Sequence, residues 1–85
     1  MGSEKNMKYL KFYETGRSGS GLTKIWTVYN TFNTVLGTVQ WFSHWRKYTY
    51  FSLAQITLDA GCLREIADFC EQETDSHKRG DESDG

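Results

Sequence analysis

The hydrophobic period of this chain changes once, and that change limits the folds open to it. Up to about Phe51 the apolar residues come in short runs rich in Trp, Tyr, Phe, Val and Thr, separated by Gly, Asn and Ser. Such runs read as β-strands bounded by turns. After Asp59 the spacing becomes Leu63, Ile66, Ala67, Cys70, which is i, i+3, i+4, i+7. That is the signature of an amphipathic helix. Strands first and one helix last predicts an α+β domain.

The runs predict strands over residues 7–14, 23–30, 35–42 and 47–51, with a glycine- and serine-rich loop at 15–22. Asp59 is a natural N-cap, so the helix is expected from about Ala60 to Glu73. The expected architecture is a three- to four-stranded antiparallel meander sheet with one C-terminal α-helix packed on one face. Residues 1–6 are expected to be a flexible N-terminus, 7–73 a single α+β domain, and 74–85 a disordered acidic tail.

Side chains alternate across a sheet, so register fixes faces. Closing the two later hairpins at 32–33 and 43–46 sets Asn30 against Val35, Val28 against Gly37, Trp26 against Val39, Trp41 against Tyr48 and Val39 against Tyr50. One face then holds Trp26, Val28, Val35, Gly37, Val39, Trp41, Tyr48 and Tyr50, and should take the helix, with Gly37 leaving room for it. The other holds Ile25, Thr27, Tyr29, Leu36, Thr38, Gln40, Phe42, Lys47, Thr49 and Phe51. Aromatic rings beside polar groups make this second face the candidate binding face; its bland reading is the lightly covered side of a small sheet. Trp45 sits in a turn. It is an anchor if exposed and a lid if it folds back over the core.

Charge is divided along the chain. Residues 1–58 hold seven Lys/Arg and two acids; residues 59–85 hold three Lys/Arg and nine acids. No acid occurs between Thr15 and Leu58. The candidate binding residues are therefore Arg17, Lys24, Arg46 and Lys47 as cations, with Tyr29, Gln40, Phe42 and Trp45 beside them. Cations with interleaved rings suit nucleic acid, whereas a net charge of −1 does not suit a dedicated binder of it. The acids Glu65, Asp68, Glu71, Glu73 and Asp75 could imitate nucleic-acid charge, or simply form a solvated helix face.

Catalytic chemistry finds little support. The acids crowd into the helix and tail, and no spacing of Cys and His suggests zinc. Residues 16–23 (GRSGSGLT) match the glycine spacing of a phosphate loop, but Leu22 stands where the lysine belongs. The expectation is no enzyme, no metal and no cofactor. Cys62 and Cys70 would lie roughly 12 Å apart on a helix, too far for a disulfide, so both are expected as free thiols. Free thiols suit a reducing cytoplasm, and no apolar run approaches membrane-spanning length.

The segment Leu36-Gly37, Val39, Trp41-Phe42, Trp45-Arg46, Tyr48 and Tyr50, followed by Cys62-Leu63, Ile66 and Phe69, resembles a group of small uncharacterised proteins of prophages, bacteria and archaea. They share a Leu-Gly…Trp-x-x-x-Trp-Arg-x-Tyr core. Their usual proline after the last aromatic pair is replaced here by Ser52. The resemblance implies a mobile-element origin and no nameable activity. The expected role is an accessory protein of phage type that binds a protein complex, as an inhibitor of a host defence system would. The alternative is a nucleic-acid-binding module using the basic and aromatic sheet face. A monomer or weak homodimer is expected, with no membrane partner.

Overall fold

Five strands and one helix form in the computed structural model, which describes residues 4–79. In chain order they are β1 (Glu4–Asn6), β2 (Leu10–Arg17), β3 (Lys24–Asn30), β4 (Val35–Phe42), β5 (Lys47–Ser52) and α1 (Ala60–Lys78). The strands make one antiparallel sheet in the order β1-β2-β3-β4-β5. Each hairpin is therefore closed locally, and only the helix must find its partner at long range.

The sheet has one strand more than the three or four expected, and residues 4–6 belong to it. Glu4–Asn6 pairs with β2, setting Lys5 against Phe12. This three-residue strand has no hydrophobic signature, because its anchor is polar. The Lys5 ammonium lies 2.8 Å from the Glu73 carboxylate and 5.6 Å from the centre of the Phe69 ring. The residues after it turn rather than extend, with the Met7 amide donating to the Leu10 carbonyl. The strand expected over 7–14 accordingly starts three residues late.

Pairing in the later hairpins follows the expected register at Trp26–Val39, Val28–Gly37, Trp41–Tyr48, Val39–Tyr50 and Phe42–Lys47. It departs at one point. Tyr29, not Asn30, pairs with Val35, and Leu36 is left over as a bulge. A bulge inserts one residue and resets the alternation beyond it. Leu36 therefore enters the core at 5% exposure instead of facing outward, while Val35 turns out to solvent. Asn30 instead closes its turn, its side-chain oxygen accepting from the amides of Phe32 and Thr34. Asn33 takes the left-handed φ of 65° that such a loop requires.

Leu10, Phe12, Trp26, Val28, Val39, Tyr48 and Phe69 are the most fully buried large side chains. Each such apolar side chain contributes about 1.5–3 kcal/mol by leaving water. The Phe69 ring stacks on Phe12, with centroids 4.0 Å apart, and meets Trp26 edge-on at 5.0 Å. This contact rotates the helix relative to the expected stripe. Ile66, Phe69 and Glu73 are buried, whereas Leu63 is exposed. The helix also runs past Glu73 to Lys78. Its last inward positions are polar, so the hydrophobic period stops before the helix does. The Thr74 hydroxyl accepts from the Tyr48 amide, and the His77 ring lies 4.5 Å from that of Trp41. Residues 74–79 are thus not part of the tail expected over 74–85; residues 80–85 lie outside the described residues.

Asp59 caps the helix as expected, its carboxylate accepting from the Cys62 amide at 2.9 Å. That bond holds the Asp59 carboxyl below its ordinary value of 3.8. The stability it contributes is fully present above the ordinary value and is lost as pH falls through the lower folded value.

Gly37 gives the sharpest packing constraint. A Cβ there would lie 2.3 Å from the Phe51 carbonyl oxygen and 2.9 Å from the Tyr50 ring. The room it leaves is for β5 and not, as the face assignment suggested, for the helix. Gly37→Ala should therefore destabilise the domain by about 1–3 kcal/mol in a urea titration. An unchanged midpoint would show that β5 does not approach β4 this closely.

Candidate functional site

Strand alternation and a helix on only one side leave the opposite sheet face without a covering element among the described residues. The face is built on β2 to β5, and its floor is polar. The hydroxyls of Thr15 and Thr27 lie 2.7 Å apart, and the Gln40 amide donates to the Thr38 hydroxyl at 2.9 Å. Above this floor stand two groups of rings. Tyr13 and Tyr29 meet edge-on at 5.3 Å. Phe42 is the hub of the larger group, 4.8 Å from Trp45, 5.4 Å from His44 and 6.1 Å from Phe51.

The β4–β5 turn explains why the larger group projects. The amides of Trp45 and Arg46 both donate to the Phe42 carbonyl, and Arg46 adopts a φ of 55° to bring the chain back. This geometry points Trp45 away from the core. At 61% exposure it does not fold back over the core as a lid. Phe51 is 41% exposed, and Arg46 and Lys47 are both exposed, Lys47 opposite Phe42.

The eight expected binding residues separate into two sets. Gln40, Phe42, Trp45, Arg46 and Lys47 come together at one end of the open face. Tyr29 shares the face but sits toward the other end, against Tyr13. Arg17 and Lys24 pair with each other on the helix side of the sheet. Lys24 is drawn over the Trp26 ring at 5.7 Å. Arg17 braces its own loop, lying 3.6 Å from the Glu14 carboxylate and donating to the Gly21 carbonyl. The glycine loop is thus braced by its own arginine.

Sequence reasoning also missed what the helix acids do. The Glu65 carboxylate accepts from the Tyr9 and Leu10 amides at 3.0–3.1 Å, tying the start of β2 to the helix. Glu73 is 4% exposed and pairs with Lys5. Two of the five acids that could imitate nucleic-acid charge are therefore spent inside the fold. The signal for this was faint: Glu65 and Glu73 flank the Phe69 stripe, but no spacing rule pairs them with Lys5 or with backbone amides some 55 residues away.

Among the described residues no cluster of three or more His, Cys, Asp or Glu could hold a metal ion. A groove of about 560 Å³ runs between β5 and α1, lined by Lys47, Tyr48, Cys70, Glu71, Thr74 and Lys78 among others. Its thiol is not activated. Burial, and then the neighbouring Glu71 and Glu73, push Cys70 up to about 11. Burial and Asp59 also raise Cys62. Both cysteines are free. A thiolate is the reactive form, so at pH 8 both should react with a disulfide reagent more slowly than glutathione does, and guanidinium should abolish the difference. A fast burst in the native protein would contradict this environment.

The chain is similar to an uncharacterized 9.3 kDa protein of Acholeplasma phage L2. The two are 27% identical over 75 residues, which make up 88% of this chain and 96% of the phage protein. No family model and no solved structure matches the chain. The likeness is thus to a small phage protein over nearly its whole length, and it carries no activity with it. No helix among the described residues is long and apolar enough to cross a membrane.

Proposed function

We propose that the chain is a non-enzymatic accessory protein of phage type that acts by binding a protein complex through its open sheet face. The observation that carries this reading is the Phe42, Trp45 and Phe51 group, presented on the side of the sheet opposite the helix. Exposed aromatic anchors of this kind dominate protein interfaces when a partner buries them. A binder of this size would work by occlusion, which is the action an inhibitor of a host defence system needs. The likeness to a small phage protein is compatible with that role.

The dimensions of the face argue against a strong homodimer through it. Four strands, β2 to β5, about 4.8 Å apart and about seven residues long offer roughly 450 Å². Two copies face to face would bury about 900 Å² in total, below the roughly 1,600 Å² of a standard stable interface. A homodimer through this face would be weak.

A second reading, a nucleic-acid module, draws support from Arg46 and Lys47 beside Trp45. Phosphates would meet the cations and a base would stack on the indole.

The test is a comparison of baits in host cells. Tagged protein should retain a partner that the Trp45→Ala/Phe51→Ser double variant loses by at least about tenfold. Melting temperatures of the two baits should be similar, since neither residue belongs to the core. Equal capture by both would overturn the reading.

A further inference from the structure

We infer that the partner presents acidic side chains around an apolar centre, and that Arg46 and Lys47 are the residues that read them. The inference rests on the sheet face being the docking surface and goes on to name the chemistry of what docks.

Arg46 occupies a backbone position that its side chain does not favour. Its φ of 55° lies in the left-handed region, where glycine and asparagine are the ordinary choices. The preceding hairpin shows the ordinary choice at its equivalent position, Asn33 with φ 65°. The backbone of Arg46 closes the turn, but its side chain makes no hydrogen bond or ion pair among the described residues. It is exposed, and neither it nor Lys47 makes an ion pair among the described residues. The left-handed position alone is not diagnostic, since Gln55 shares it with φ 62°; it is the exposed, unpaired side chain of Arg46 beside the ring group that points to recognition. Two adjacent unpaired cations therefore stand at the rim of the Phe42, Trp45 and Phe51 group.

The surroundings leave those cations attractive to an anion. Residues 16–58 contain no acid, so β3, β4 and β5 bring no carboxylate to the face. Lys47 also borders the groove that Glu71 and Asp75 line on the helix side, without an ion pair to either among the described residues, so Arg46 is the cation that stands clear of the helix acids. Charge complementarity thus selects a negatively charged partner.

Two observations favour a protein over a nucleic acid. The rings pack edge to face, at 83° for Phe42 with Trp45 and 75° for Phe42 with Phe51. They present an irregular apolar surface, whereas successive bases need a row of open ring faces. Arg17 and Lys24 lie on the opposite side of the sheet, and the cation on the open face beyond the hairpin, Lys11, sits opposite Tyr29 at the other end of the sheet, so no continuous basic track runs from the hairpin. Two cations at the edge of an apolar cluster match the polar rim and apolar centre of a protein interface.

The test uses intrinsic Trp fluorescence at low and physiological salt with three probes: a random glutamate–tyrosine copolymer, polyglutamate and oligo-dT. The copolymer should bind most tightly, with affinity falling as salt rises. The Arg46→Glu/Lys47→Glu variant should lose about tenfold or more. Thr31→Glu, which adds negative charge at the other hairpin, should leave binding unchanged. Arg46→Gly should raise the melting temperature, by relieving the left-handed position, while weakening binding. This variant separates recognition from folding. Tighter binding of oligo-dT, copolymer binding that survives charge reversal, or no binding of any probe at low salt would each overturn the inference. If partner capture in cells depends on Trp45 and Phe51 but not on Arg46 and Lys47, this inference fails and the docking face stands. If it depends on neither pair, both fail.

Discussion

The stack of Phe69 on Phe12, closed from the side by Trp26, is the contact on which the rest of the structure depends. It is where the only helix among the described residues meets the sheet, and it joins residues far apart in the sequence. Hairpins form locally, but an open sheet needs something packed against it to be stable. One helix can cover only one face. The same contact that makes the core therefore leaves Phe42, Trp45 and Phe51 on a side that no other element among the described residues reaches.

Around that stack the fold is finished by polar groups in places where hydrophobes would be expected. Glu65 holds the start of β2, Glu73 holds Lys5 of β1, and Thr74 satisfies an amide of the edge strand β5. Capping the edge at Tyr48 also blunts a strand that could otherwise pair with another chain. These uses redistribute the charge of the molecule. The helix acids are partly internal, while the cations of the β4–β5 hairpin make no ion pair among the described residues. The proposed electrostatic recognition therefore falls to the basic hairpin and not to the acidic helix.

The parts of the fold that were legible in the sequence are those with a strong period. β3, β4 and the register of β4 with β5 follow from alternation, and the helix start follows from Asp59. The parts that were not legible have specific causes. β1 has no apolar pattern, because Lys5 acts through a carboxylate 68 residues away. The last turns of α1 are built from Glu73, Thr74 and His77, which periodicity counts as solvent-facing. Leu36 changed sides because a bulge leaves no mark in composition. Of the candidate site, the group from Gln40 to Lys47 was legible because it is contiguous. Arg17 and Lys24 were misplaced because charge alone does not say which side of a sheet a residue faces.

The central claim is that one face of the sheet is sealed by the helix and the other is open in the free protein. Hydroxyl-radical footprinting read residue by residue tests it most directly. Trp45 and Phe51 should be oxidised rapidly, while Phe12, Trp26 and Phe69 stay protected until the protein unfolds. Protection of Trp45 and Phe51 to the level of Phe69 in the free protein would mean that the face is already covered, and would contradict the account.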